Sequence, residues 1–257
     1  MALQDKQKRS NDVLMASAQS SRRSNSFPYK YQFAVLGASR VGKSALVRRW
    51  MTPETFIETH YETVDESYEK TVPVGVGNAR VQIHVVDTGG SHSFPAMRSL
   101  LARDADGFLL VFDTHDRNSF TRVKEIRQEI EEMRRLSRKQ HSEAAAAGTN
   151  IVSSLPAVLV ANKTDGDDTV DSLALRQEAK ELARQLGIGY VETSAKNNRN
   201  ITEIFRCLIL RVQNSFAHDF AAMGTKARKN KTVTKRLWRS IRVVFTLPRI
   251  SPRTMRK

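Results

Sequence analysis

Short apolar runs alternate with amphipathic stretches along most of this chain. The first run, Tyr31-Gln-Phe-Ala-Val-Leu36, passes into a glycine-containing turn and then a helical stretch over residues 43–51. Two strand-like runs follow, 68–76 and 80–87, with Gly77-Asn78 between them reading as a hairpin turn. Gly107-Phe-Leu-Leu-Val-Phe112 and Ala157-Val-Leu-Val-Ala161 are continuously apolar, as strands covered on both faces are. Between them Phe120, Val123, Ile126, Ile130 and Met133 recur every three or four residues and predict a helix over 119–136. A further helix over 171–186, a short strand Gly189-Tyr-Val-Glu192 and an amphipathic helix from Ile201 to about residue 216 complete the pattern. Strands alternating with helices predict an α/β fold. The sheet should have six strands, mostly parallel with one antiparallel, and helices on both faces.

The two ends and one internal stretch break this rhythm. Residues 1–29 are rich in Ser, Asn, Gln and Arg with little apolar patterning, so a disordered tail is expected. Residues 137–154 carry an Ala run and few periodic apolar positions, and read as a surface insertion extending the preceding helix. The expected organisation is thus a tail over 1–29, a domain over 30–218 and a second tail over 219–257. No apolar run approaches the ~18–20 residues that cross a bilayer, and none near the start resembles a signal peptide. The single Cys207 excludes an intramolecular disulfide and a multi-cysteine zinc site. These readings predict a cytoplasmic or nuclear protein.

Charge sharpens the picture through its distribution. Of the formal net charge of +15, residues 1–30 contribute +4 and residues 224–257 contribute +12, which leaves −1 for the body between them. Basic tails on a near-neutral body suggest contact with an anionic surface. A nucleic-acid-binding core would be basic throughout, and residues 1–30 do not interleave aromatic with basic positions, so no nucleic-acid partner is expected.

The strongest motif is Gly37-Ala-Ser-Arg-Val-Gly-Lys-Ser44, which fits G-x-x-x-x-G-K-[ST] where a strand hands over to a helix, marking a P-loop NTPase. The backbone around Ser39, Arg40, Val41, Gly42 and Ala45 would wrap phosphate oxygens, with the helix N-terminus adding its dipole. Lys43 would reach the β- and γ-phosphates, and the Ser44 hydroxyl would ligate Mg²⁺. Asp87-Thr-Gly-Gly90 closes another strand; Asp87 would hold the Mg²⁺ through water, and the Gly90 amide would sense the γ-phosphate. Asn162-Lys-Thr-Asp165 supplies base recognition. Asp165 can accept from N1–H and the 2-amino group of guanine, a donor pair that adenine lacks. Asn162 would brace the loop, and Lys163 would lie over the base. Glu192-Thr-Ser-Ala-Lys196 brings Ser194, Ala195 and Lys196 to the same end, with the Ala195 amide facing the guanine oxygen. Each tetrapeptide is weak alone; four in order, each at a strand's C-terminal end, point to GTP and GDP with Mg²⁺.

With these motifs the chain resembles the Ras family of small GTPases over roughly residues 31–217. Lys43-Ser-Ala-Leu46, Thr63-Val-Asp-Glu-Ser-Tyr68 and Phe94-Pro-Ala-Met-Arg98 add to the match. The resemblance implies a GTP-hydrolysing signalling switch that works with effectors, an exchange factor and an activating protein. It implies that Phe56 packs against guanine and that Thr63 closes over Mg²⁺ and the γ-phosphate. From the residues alone, Phe56 is equally a core residue and Thr63 a loop threonine. It also implies that Val64, Asp65, Glu66, Ser67 and Tyr68 form an effector segment beside a strand edge, exposing Asp65 and Glu66 to a basic strand.

Departures from the family pattern change what is expected of catalysis. Ser91 stands where a water-orienting Gln is usual, so hydrolysis should be slow. The adjacent His92 either substitutes for that Gln or is a solvated loop residue. Ser39 and Arg40 replace two common glycines, and Ser39 crowds the space that an activating arginine would enter. Glu62 replaces a usual proline in the switch. The chain ends Thr254-Met-Arg-Lys257 instead of C-a-a-X, so no lipid anchor is expected, and Cys207 reads as a core thiol of the last helix.

In this the chain is similar to Rit-type and RGK-type relatives with basic tails. Val233, Leu237, Trp238, Ile241, Val244 and Phe245 fall at helical spacing among Lys235, Arg236, Arg239 and Arg242. Such an amphipathic helix over 233–245, within the basic stretch 226–257, suits an anionic membrane at the inner face of the plasma membrane. It equally fits a calmodulin target or a solvated tail of nuclear-import character. A nucleotide-locked scaffold that never needs hydrolysis is the competing functional reading.

Overall fold

The computed structural model describes residues 30–54, 66–74, 80–89, 95–142 and 155–222. Strands β1 (Lys30–Leu36), β2 (Glu66–Pro73), β3 (Arg80–Asp87), β4 (Gly107–Asp113), β5 (Ala157–Asn162) and β6 (Gly189–Glu192) form one sheet. Their order is β2-β3-β1-β4-β5-β6, and only the β2–β3 pair is antiparallel. The expected α/β sheet of six strands with one antiparallel member is what the chain forms.

Burial follows position in the sheet. Every residue of β5 is buried, and so is β4 up to Phe112, because helices cover both faces of these central strands. In β3 the buried residues alternate, and β2 at the open edge is mostly exposed. On one face α1 (Lys43–Met51) and α5 (Ile201–Ala222) pack Leu46, Trp50, Ile204, Phe205 and Leu208 over Phe33 and Val35. The Trp50 and Phe205 rings stack at 3.8 Å between centroids. On the other face α2 (Pro95–Asp104), α3 (Arg117–Ser142) and α4 (Val170–Gln185) cover Ala34, Phe108, Leu110 and Phe112 with Leu101, Phe120, Ile126 and Leu175.

Helix α1 and strand β6 keep their expected bounds, while several others shift. Strand β2 begins at Glu66, two residues before the expected start, and ends at Pro73, three before the expected end. Pro73 has no N–H to offer the ladder, so pairing stops where it faces Arg80. Helix α3 starts earlier, where the Asp116 side chain accepts from the Asn118 amide as a cap. It also runs past Leu136 to Ser142, into the stretch read as an insertion, and salt bridges such as Arg127–Glu131 and Arg122–Glu125 line its exposed side. Helix α2 escapes a periodicity reading because its sequence, PAMRSLLARD, has too short an apolar stripe. The Gly77-Asn78 turn, residues 143–154 and both tails lie outside the described residues.

Candidate functional site

Because β1 and β3–β6 run parallel, their last residues, Leu36, Asp87, Asp113, Asn162 and Glu192, reach the same edge of the sheet. Ligands of open α/β sheets collect at that edge. The loop 37–44 leaves β1 there and turns into α1. Its two glycines are demanded by close packing. A Cβ on Gly37 would lie 2.1 Å from the Val111 carbonyl oxygen of β4. One on Gly42 (φ +95°) would lie 2.4 Å from Asn162 Nδ2. Arg40 takes φ +61° without being glycine, a left-handed conformation that costs about 1–2 kcal/mol.

Gly42 caps α1 with no side chain, so the first amides of the helix are not taken up by a capping residue. Inside the loop, buried Lys43 donates from Nζ to the carbonyls of Gly37 (3.2 Å) and Ala38 (2.9 Å). Burial lowers the Lys43 pKa, opposed by the charge of Asp87. Ser39 and Arg40 are exposed at the mouth, Val41 is buried, and Ser44 and Ala45 are half-buried in the first helical turn.

Asp87 is fully buried, and neither of its oxygens has a well-formed hydrogen bond in the protein. Burial pushes its pKa up to about 6, against the nearby Ser44 hydroxyl and the Lys43 ammonium, which favour the carboxylate. A buried carboxylate without a well-formed hydrogen bond, beside a serine hydroxyl, is an oxygen donor set suited to Mg²⁺, which takes few protein ligands. Among the described residues no group of three or more His, Cys, Asp or Glu is placed to hold a metal. The residue after Asp87, Thr88, is buried and donates to the Val35 carbonyl at 2.9 Å, tying the strand's exit to β1. Phe56, Thr63, Val64, Asp65, Gly90, Ser91 and His92 lie outside the described residues.

The base-recognition loops are joined to the phosphate loop by one side chain. Buried Asn162 donates from Nδ2 to the Val41 carbonyl (2.8 Å), while its Oδ1 accepts from Thr193 Oγ1 (3.1 Å). Asp165 is exposed and accepts from the Ser194 hydroxyl at 2.6 Å; that hydroxyl oxygen in turn accepts from the Asn197 amide at 2.9 Å. The Thr164 amide and hydroxyl both donate to the Thr193 carbonyl, at 3.1 and 2.9 Å. Ala195 is buried, and the Lys196 carbonyl accepts from Arg49 of α1 at 3.3 Å. Asn162, Lys163, Asp165 and Ser194 are therefore each held by polar contacts at this edge, with Ala195 and Lys196 directly following Ser194 in the same loop.

Several members of this network were not singled out by motif. Thr193 carries the Asn162 brace, although it stands inside the quoted Glu192-Thr-Ser-Ala-Lys196 string. Asp113, at the end of β4, pairs with Lys163 Nζ at 2.7 Å, and Thr114 donates its amide to the Asn162 carbonyl at 3.1 Å. Their signal in the sequence is only that they end a buried strand on the ligand edge. Glu66 and Ser67, expected beside a strand edge, lie within β2 itself and are exposed; Glu66 pairs with Arg48 at 3.5 Å and accepts from the Tyr68 hydroxyl. Cys207 is half-buried and packs against the core, with Sγ 2.9 Å from where a Gly189 Cβ would stand.

The Ras family model matches residues 32–214. Protein ras-2 of Neurospora crassa is 34% identical over 178 residues, covering 68% of this chain and 76% of that protein. GTP-binding protein Rhes of Mus musculus is 33% identical over 178 residues, 69% of this chain but 63% of Rhes, under two thirds of its length. GTP-binding protein Di-Ras2 of Mus musculus is 33% identical over 205 residues, 80% of this chain and 92% of that protein.

Proposed function

The chain belongs to the Ras family of small GTPases, and from that premise we propose a guanine-nucleotide switch that hydrolyses GTP slowly and engages effectors in its GTP state. The observation that carries this reading is Asn162, whose side chain bonds the phosphate loop to the base loop. Both ends of one nucleotide are thereby addressed by one rigid unit, within a domain taken as residues 30–218.

The residues take the following roles. Amides of 39–45 and the Lys43 ammonium hold the phosphates of GTP or GDP, and Lys43 also stabilises charge developing on the γ-phosphate. Ser44, Asp87 and Thr63 would hold Mg²⁺, which when bound would neutralise charge on the phosphates. Asp165 selects guanine, aligned by the Ser194 hydroxyl; Ala195, Lys196 and Phe56 complete the base pocket. Gly90 reports the γ-phosphate. Ser91 replaces a carboxamide that would orient the attacking water, and the exposed Ser39 side chain stands at the loop mouth. Both departures support slow hydrolysis.

The test is single-turnover hydrolysis by the purified chain, together with the nucleotide it carries. Slow turnover that Ser91→Gln accelerates, and GTP retained through purification, is the expected result. A rate equal to that of family members with Gln at this position would overturn it.

Effectors, an exchange factor and an activating protein are the partners of such a switch. Among the described residues strand β2 has no neighbour on its outer edge, which supports docking of a basic effector strand along Glu66, Ser67 and Tyr68 with Val64 and Asp65. No helix among the described residues is long and apolar enough to cross a membrane. The twelve basic residues of the segment from 226 onward, with no acid among them, support peripheral contact with an anionic leaflet at the plasma membrane. Co-sedimentation with anionic vesicles, lost on charge reversal, tests this. Binding to calmodulin instead would assign 233–245 to that partner.

A further inference from the structure

The loop that reads guanine is gripped from outside by the residues just beyond β4. Thr114 Oγ1 donates to the Lys163 carbonyl at 3.3 Å, and Asp113 pairs with Lys163 Nζ. Lys163 itself sits at φ +67°, a strained conformation for a side-chain-bearing residue that its surroundings must enforce. His115 holds the next part of the loop. Its Nε2 lies 3.0 Å from the Asp167 carbonyl, and its ring lies flush against Gly166, where a Cβ would come within 2.6 Å of Cε1.

A carbonyl can only accept, so Nε2 carries the hydrogen. That leaves Nδ1 to face Thr114 Oγ1 at 3.2 Å and Asp113 Oδ1 at 3.5 Å. The backbone of His115 is fixed as well, since its amide donates to Asp113 Oδ1 at 2.9 Å. The imidazole thus bonds the base loop at Asp167 and packs on Gly166, on one flank of Asp165, while Thr114 and Asp113 hold Lys163 on the other.

We propose that His115 is a positioning residue for guanine recognition: by clamping Gly166 and Asp167 it holds the Asp165 carboxylate in place and lengthens the residence of guanine nucleotides. It touches no substrate and acts through the loop. The clamp therefore bears on the hydrogen bonds that Asp165 makes to the base, one of which needs the 2-amino group that inosine lacks.

The test uses the full chain loaded with GDP or with IDP, each chased with excess unlabelled nucleotide. One lost hydrogen bond predicts GDP release about 3- to 10-fold faster in His115→Ala. IDP release should accelerate less, because inosine makes fewer of the bonds the clamp protects. His115→Gln, whose amide nitrogen can donate to the Asp167 carbonyl, should return GDP release to near the parent rate. Gly166→Ala, which pushes the ring away, should speed release in the parent but add little in the His115→Ala background. GDP release within twofold of the parent in His115→Ala would overturn the proposal. Equal acceleration of GDP and IDP, a His115→Gln variant as fast as His115→Ala, or additive effects of the two substitutions would overturn it too. Hydrolysis rate does not enter any of these readouts, so slow or brisk turnover leaves them unaffected.

Discussion

The two ends of the nucleotide site are built on opposite principles. At the base end, polar groups satisfy one another: Asn162 bonds to Val41 and Thr193, Asp165 to Ser194, and Lys163 to Asp113. At the phosphate end, the buried charges are poorly matched by protein. Lys43 donates to carbonyls of its own loop, and Asp87 has neither oxygen in a well-formed hydrogen bond. A buried carboxylate without a well-formed hydrogen bond is costly, so Asp87 marks where an external charge is meant to bind. The base end is preorganised by side chains; the phosphate end is shaped by backbone and leaves its charges for the ligand.

The largest effect should come from breaking the backbone shape. Gly37→Ala drives a methyl into the Val111 carbonyl of central strand β4, and neither backbone can yield without shifting the sheet. A loss of about 3 kcal/mol or more is expected, read as a shift in the urea midpoint with nucleotide binding lost alongside.

Next in size is the unmatched carboxylate. The folded pKa of Asp87 is raised to about 6, above its unfolded value, so the fold binds its proton more tightly than the unfolded chain does. Stability in EDTA, without nucleotide, should therefore fall as pH rises from about 4 to about 6, by on the order of 3 kcal/mol. Asp87→Asn should abolish that fall in thermal melts while weakening the Mg²⁺-dependent retention of nucleotide. A slope of the opposite sign would mean that the carboxylate is already matched by protein.

At the base end, Thr193→Val keeps the shape but leaves Asn162 Oδ1 buried without its donor. The cost should be about 1–3 kcal/mol, with faster GDP release because the brace to Val41 loosens. Unchanged melting and release would show that Asn162 is held by packing alone.

Much of this was legible in the sequence because it depends on local rules. Buried runs such as 157–161 announce central strands, and Gly37 to Ser44 announces its own turn chemistry. The α2 helix was hidden because its sequence, PAMRSLLARD, carries too short an apolar stripe to show a period. The ends of α3 and β2 depended on the Asp116 cap and on Pro73, features whose weight appears only once the pairing is known. In the site, motif residues were readable because their spacing is tied to strand ends. Thr88, Asp113, Thr114 and His115 were not, because their roles arise from contacts across the sheet between segments far apart in the chain.

Hydrogen exchange with and without ligand tests the contrast between the two ends most directly. Full-length chain stripped of nucleotide in EDTA would be compared with chain holding GDP and Mg²⁺. The account predicts that protection is gained mainly over 37–44 and 87–89, as loop amides engage phosphate oxygens and Asp87 gains its cation. Amides over 162–166 and 193–197 should change little, since those of Thr164, Gly166, Thr193, Ser194 and Asn197 already donate within the protein. An equal or larger gain over 162–166 and 193–197 would contradict a preorganised base end.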